Sequence, residues 1–280
     1  MNYKLCYPNF KSKAVTFSYD DGVIQDKQVI EILNKHKMKG TFNLNYGQSN
    51  QPKMRLDKFN KEIDCSHLNL EENVSLYDGM EIANHTLNHP RLEDLSYNVQ
   101  EEEFQQGRLK LENLFKRKVF GAAYPYGTYN MDSINVQKKL NIEYDRTTRS
   151  TYNFSLPSNW LLWNPTIHHR DKRIYEILDE FIKADEELAL LYIWGHGYEF
   201  AIDHNFDLLD DICKKLESSD EIASMTNHEI YEYVNAANSV YYSKSHKAFI
   251  NISDVNVYLI CDNKKIIVPK KGRIPYENEE

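Results

Sequence analysis

Long apolar runs are missing from this 280-residue chain, and no segment reaches the roughly 20 consecutive apolar residues that span a bilayer. The opening fifteen residues, MNYKLCYPNFKSKAV, place no apolar stretch behind their basic residues. Neither a secretory signal nor a membrane anchor is expected there, and a cytoplasmic protein is the reading that follows. Cysteine is scarce: Cys6, Cys65, Cys213 and Cys261 stand far apart, which predicts reduced, packed thiols and argues against a disulfide framework or a zinc-thiolate site. Excess positive charge is also missing. With 34 Lys and Arg against 42 Asp and Glu, a net charge of −8 and no basic block, a nucleic-acid surface is excluded as a working idea. Tyrosine, by contrast, is plentiful at 20 residues in a composition that is 41% hydrophobic. Such a chain can build a sizeable core and still spare aromatic rings for a site that binds a polar ligand. Nothing in it speaks to oligomeric state.

Along most of its length the chain alternates strand and helix patterns. Residues 15–19 (VTFSY) read as a short buried strand that runs into Asp20, Asp21 and Gly22. Asp26 is placed to cap a helix carrying Val29, Ile30 and Leu33 on one face, Gly40 ends it, and residues 41–44 form the next strand. Residues 50–75 are polar and irregular and look like an insertion, with one short helix expected around 56–63. Strands are predicted at 80–84, 119–123, 142–147, 188–194 and 222–225. Helices are predicted at 93–116, 131–140, 170–183, 206–216 and 227–238. The apolar run LALLYIW at 188–194 is the strongest buried strand, of the kind covered on both faces. From residue 239 the texture changes to short alternating segments, with a hairpin turn expected at Asp262-Asn263. The architecture expected is a parallel α/β domain over 1–238 and a small β-rich extension over 239–280.

The chemistry-bearing residues sit at the ends of those strands. Neighbouring side chains at a strand end point in different directions, so Asp20 and Asp21 can serve two tasks. Residues 84–90, NHTLNHP, place His85 and His89 four apart, a spacing that on a helical turn puts both imidazoles on one face. Asp21, from another strand end, would complete an open Asp-His-His metal site.

Taken together and in order, SYDDG, HTLNH, YPYG and a late strand ending in WGH resemble the polysaccharide deacetylase family, over about residues 14–235. The resemblance implies a distorted parallel (β/α) barrel of about seven strands, and removal of acetyl groups from an N- or O-acetylated sugar. It implies a divalent metal, zinc being usual in the family, held by Asp21, His85 and His89. Asp20 falls at the family's general base and His196 at its general acid, while Tyr126 falls where a backbone N–H stabilises an oxyanion. The family's third motif ordinarily carries an arginine where this chain has Ala123. Arg146, in EYDRTTRS, is the expected substitute, with Arg149 the second choice. The aspartate that orients the acidic histidine in relatives is not recognisable, and His168, in WNPTIHHRD, is the candidate to contribute in its place. Trp194 and Tyr198 flank His196 and are expected to wall the acetyl or sugar subsite. Two other readings stand beside the deacetylase: a catalytically weak glycan-binding barrel that keeps the metal, and a deacylase of a small cytoplasmic amide.

Overall fold

The computed structural model describes residues 2–276. Eight strands form one sheet in which every pairing is parallel: β1 (Lys13–Asp20), β2 (Gly40–Leu44), β3 (Glu81–Asn84), β4 (Gly121–Ala123), β5 (Tyr144–Arg146), β6 (Ile167–His168), β7 (Ala189–His196) and β8 (Ile222–Ser224). Seven of them run in the spatial order β5-β4-β3-β2-β1-β7-β6, while β8 pairs with the first half of β1. Trp163 bridges Arg146 on one side, and Ile167 pairs with Ile193 of β7 on the other, so segment 163–168 draws the two edges of the sheet together. This is a distorted (β/α) barrel.

Seven helices accompany the sheet: α1 (Asp26–Lys35), α2 (Tyr97–Phe115), α3 (Met131–Lys139), α4 (Ile174–Lys183), α5 (Gly197–Asp203), α6 (Phe206–Glu217) and α7 (Asn227–Ser239). Strand β1 is buried along its whole length and its two faces differ in chemistry. Val15, Phe17 and Tyr19 join an apolar cluster with Val29, Ile30 and Leu33 of α1 and Leu209 and Ile212 of α6. The intervening Thr16, Ser18 and Asp20 carry a polar network. Thr16 donates to Asn227 (2.8 Å), and Asn43 of β2 donates to Ser18 (2.8 Å) and to Asp20 Oδ1 (2.7 Å). Period-2 alternation thus delivers Asp20 as the last residue of a polar row.

Several local expectations need correction. Residues 56–63 are not helical: Met54–Leu56 and Glu62–Asp64 pair as an antiparallel hairpin. Asp26 does not cap α1; Gln25 is the N-cap, and the buried Asp26 accepts the Tyr77 hydroxyl at 2.9 Å instead. Helix α2 begins at Tyr97, and its buried stripe is Gln100, Phe104, Gly107, Leu111 and Phe115, while Leu109 is exposed. The strand pattern at the C-terminal end is present, with Asp262 and Asn263 both at positive φ in the hairpin turn. Its partner was not anticipated: Tyr3–Cys6 pairs with Val257–Cys261, so this sheet draws on both ends of the chain. A further strand, Gly272–Pro275, pairs with Ala248–Asn251.

Candidate active site

The parallel register levels the strand ends. His196 lies beside Asp20 across β7 and β1, Asp20 beside Asn43, Asn84 beside Ala122, and Ala123 beside Arg146. Ligand sites in parallel α/β folds gather at such carboxyl ends.

Asp21 follows β1 at φ +79, a left-handed conformation costly for a residue with a side chain. The turn brings its Oδ1 to 3.5 Å from His89 Nε2 and 3.8 Å from His85 Nε2. The two histidines do not reach each other through a helical turn. Thr86 and His89 both have positive φ, and the segment is an irregular loop clamped onto α2. Leu87 N–H donates to the Glu103 carbonyl (3.0 Å), and Asn88 donates to the Glu103 carboxylate through its backbone (2.8 Å) and side chain (2.7 Å). Gly107 makes the clamp possible, since a Cβ there would lie 2.8 Å from the Thr86 carbonyl carbon.

Asp21, His85 and His89 offer three ligand atoms within 4.8 Å of one another. Their chemistry fits a divalent metal. His85 Nδ1 lies 2.6 Å from the Ala123 carbonyl, to which only a protonated Nδ1 can donate, so Nε2 is the free lone pair turned toward Asp21. Burial first of all, and the neighbouring histidine, push His89 down to about 4, while burial also lowers His85. Both rings are therefore neutral near pH 7, as ligation requires. Burial works against ionised Asp21, but His196, His85, His89 and Lys53 outweigh it and hold the carboxyl at about 2.

Asp20 is buried beside this cup, with Oδ2 3.9 Å from His85 Nε2 and 4.0 Å from His196 Nε2. Arg146 is fully buried and donates from Nη2 to the same oxygen. It stands directly across the strand pair from Ala123, so the guanidinium comes from the neighbouring strand. The first residue of β4 makes room for Tyr144 of β5, since a Cβ on Gly121 would lie 2.0 Å from the Tyr144 ring. The guanidinium carbon sits 4.4 Å over the Trp194 ring. Burial disfavours the Asp20 charge, yet Arg146, then His85 and His196, keep its carboxyl below the ordinary range. Arg149 is exposed.

His196 ends β7 and opens α5. Its Nδ1 lies 3.3 Å from Glu199 Oε2, and its backbone N–H donates to that oxygen at 2.9 Å. Glu199 is also approached by His168 Nε2 at 3.2 Å, His169 Nε2 at 3.3 Å and Arg170 Nη1 at 3.4 Å. Burial opposes its charge, but His168 and His196 hold the carboxyl far below the usual range. His196 in turn is raised against the effect of burial by Glu199, Asp21 and Asp20. Glu199 thus stands where an orienting carboxylate is needed, although sequence reading passed over it. The available signal was local, a glutamate three residues after the histidine at a strand-to-helix junction, which is capping-box spacing. His168 lies a step removed, its Nδ1 accepting from Arg170 N–H at 3.1 Å, so that Nε2 carries the proton toward Glu199.

The three candidate substrate-contacting residues separate. Tyr126 is 54% exposed, with φ +58 and its ring edge-on to His89 at 4.5 Å. Tyr198 lies 4.9 Å from the His196 ring. Trp194 is buried between Arg146 and His168, and its indole N–H is unpartnered.

Residues 8–144, which carry Asp20, Asp21, His85 and His89, match the family model for polysaccharide deacetylase. The chain is related to the polysaccharide deacetylases. YxkH of Bacillus subtilis (strain 168), whose name gives it provisionally as a polysaccharide deacetylase, is 25% identical over 139 residues, 49% of this chain and 45% of that protein. The match therefore spans less than half of this curated relative. Among solved structures, the peptidoglycan deacetylase PdaC from Bacillus subtilis is 17% identical, with TM-score 0.51, over 81% of this chain and 92% of that one. BA3943, a CE4 family pseudoenzyme from Bacillus anthracis, is 18% identical with TM-score 0.50, over 80% and 66% of the two chains. These likenesses support the barrel fold. Among the described residues no helix is long and apolar enough to cross a membrane.

Proposed function

We propose that this polysaccharide-deacetylase relative is a metal-dependent hydrolase that removes acetyl groups from an N- or O-acetylated saccharide. The observation that carries the reading is the placement of Asp20, held ionised by Arg146, between His85 of the cup at 3.9 Å and His196 at 4.0 Å. A binding surface needs no such base. Asp21, His85 and His89 would hold the metal, for which zinc suits a two-histidine, one-carboxylate set. When bound, a divalent cation at such a site polarises the acetyl carbonyl and makes water more acidic.

The remaining roles fall to the chain. Asp20 accepts the proton of the attacking water as its oxygen bonds to the acetyl carbon. His196, protonated and held by Glu199, gives a proton to the departing nitrogen or oxygen as the bond to the acetyl carbon breaks, which leaves acetate. Arg146 keeps Asp20 ionised, and Tyr126 and Tyr198 stand on either side of the cup to receive a sugar ring.

A second reading, a glycan-binding barrel with little or no turnover, draws support from the pseudoenzyme that shares the fold and from the alanine at position 123. The test is acetate release from a panel of acetylated saccharides by zinc-reconstituted protein and by Asp20→Asn. The hydrolase reading expects release that falls by about 10²–10⁴ in the variant. Saccharide binding without release by either protein would favour the second reading.

A further inference from the structure

The hairpin of residues 54–64 belongs to the insertion that has no part in the chemistry above. It is tied to α5, the helix that follows His196. Lys58 N–H donates to the Ile202 carbonyl at 3.0 Å, Lys58 Nζ donates to the Asp203 carbonyl at 2.6 Å, and the Asp57 carboxylate meets His204 Nε2 at 2.6 Å. Asp57 also accepts the N–H groups of Phe59 and Lys61, both at 2.8 Å, which fixes the turn. The hairpin is therefore a braced lip.

That lip presents cations at the site. The Arg55 guanidinium carbon lies 4.0 Å over the Tyr198 ring, and Tyr198 lies 4.9 Å from His196. Lys53, just before the hairpin, is pinned to the segment that follows Asp21: its N–H donates to Ser66 Oγ at 3.0 Å, and the Ser66 carbonyl accepts from Ile24 N–H at 2.9 Å. Neither side chain forms an ion pair or a hydrogen bond among the described residues, and Arg55 Nε is buried without a partner. The arginines of the site itself are matched: Arg146 with Asp20, and Arg170 with Glu199 and Asp203. Across the cup, Arg91 lies 4.7 Å over the Tyr126 ring but is shared with Glu93 at 3.6 Å. In a chain with eight more acidic than basic residues, two cations without a carboxylate partner beside the reaction centre are available to an anionic group carried by the substrate. A stacked guanidinium keeps its N–H edge free for carboxylate or phosphate, and a flexible ammonium two residues away supplies a second contact.

We propose that Lys53 and Arg55 form a subsite for a negatively charged substituent, carboxylate or phosphate, on the saccharide whose acetyl group enters the cup. The proposal rests on the deacetylase reading of the site and names the class of substrate. The test compares N-acetylglucosamine with its 6-phosphate and with N-acetylmuramic acid, which carries a carboxylate. Acetate release is measured with zinc-loaded protein, Lys53→Met/Arg55→Met and the milder Lys53→Gln. Equilibrium binding is measured by calorimetry with the full chain carrying Asp20→Asn. At least one anionic sugar should be favoured about tenfold or more in kcat/KM and in affinity. The preference should weaken in 0.5 M salt, drop severalfold in Lys53→Gln and vanish in the double variant. Equal treatment of neutral and charged sugars, or a preference that survives in both variants, overturns the subsite. Failure to release acetate from any sugar counts against the deacetylase reading, and the affinity ratio then decides the subsite by itself.

Discussion

Replacing Arg146 by methionine keeps much of the side-chain volume and removes the guanidinium that meets Asp20 inside the barrel. Both partners are almost fully buried, at 0% and 2% exposure, so solvent screens the pair little. Charges about 4 Å apart attract by about 4 kcal/mol at an effective dielectric of 20, and stripping one partner from a buried pair costs about 3–5 kcal/mol. At roughly 2 °C per kcal/mol for a chain of this size, melting should fall by about 6–10 °C at pH 7. The pH dependence has a definite sign. Asp20 is depressed in the folded protein, so its pairing contributes stability above the unfolded carboxyl value, near 4, and loses it as pH falls through the folded value. The deficit of Arg146→Met should therefore be full at pH 7 and shrink on acidification, as the orphaned carboxyl takes up a proton. Adding Asp20→Asn should restore part of the loss, because no unpaired charge then remains in the barrel. In the catalytic assay the acidic limb of kcat/KM should move to higher pH, by a unit or more, since the base is harder to ionise. Calorimetry of the two single variants and the double, at pH 5 and pH 7, gives the coupling directly. A melting temperature unchanged in Arg146→Met, or a coupling near zero with an unmoved acidic limb, would refute the assignment.

Three further outcomes are expected. Glu199→Gln should lower turnover by about 10–100-fold and shift the basic limb to lower pH, because the carboxylate that raises His196 is gone; a pH–rate profile superimposable on the parent's would remove Glu199 from the account. His85→Ala and His89→Ala should each abolish tight zinc binding in equilibrium dialysis, with about one zinc per chain in the parent and none retained after chelation; parent-like stoichiometry in both would misplace the ligand set. Gly121→Ala should destabilise by about 1–3 kcal/mol in urea melts, because the new methyl would lie 2.0 Å from the Tyr144 ring; a neutral substitution would mean that β4 does not make room for β5 in this way.

What the sequence determined by itself was the part of the molecule written in contiguous residues. Alternation in VTFSY, the unbroken run at 188–194 and the helix-strand rhythm indicated a parallel α/β architecture, because periodicity is a local property that burial then enforces, while the barrel itself was implied only by the family resemblance. Asp20, Asp21, His85, His89 and His196 were legible because each closes a strand or the loop after it. Geometry that depends on neighbours was not. The Arg146 substitution could be guessed from a gap at Ala123, but its position depends on the β4–β5 register that sets the two residues side by side. His85 and His89 converge because α2 clamps an irregular loop through Glu103 and the missing side chain of Gly107, where spacing suggested a helical turn. Glu199 escaped notice because one carboxylate gathers imidazoles from two strands, and only the β6–β7 pairing brings them together. The hairpin at 54–64 has short, half-exposed strands without an apolar period, so contacts with α5 define it more than any local preference does.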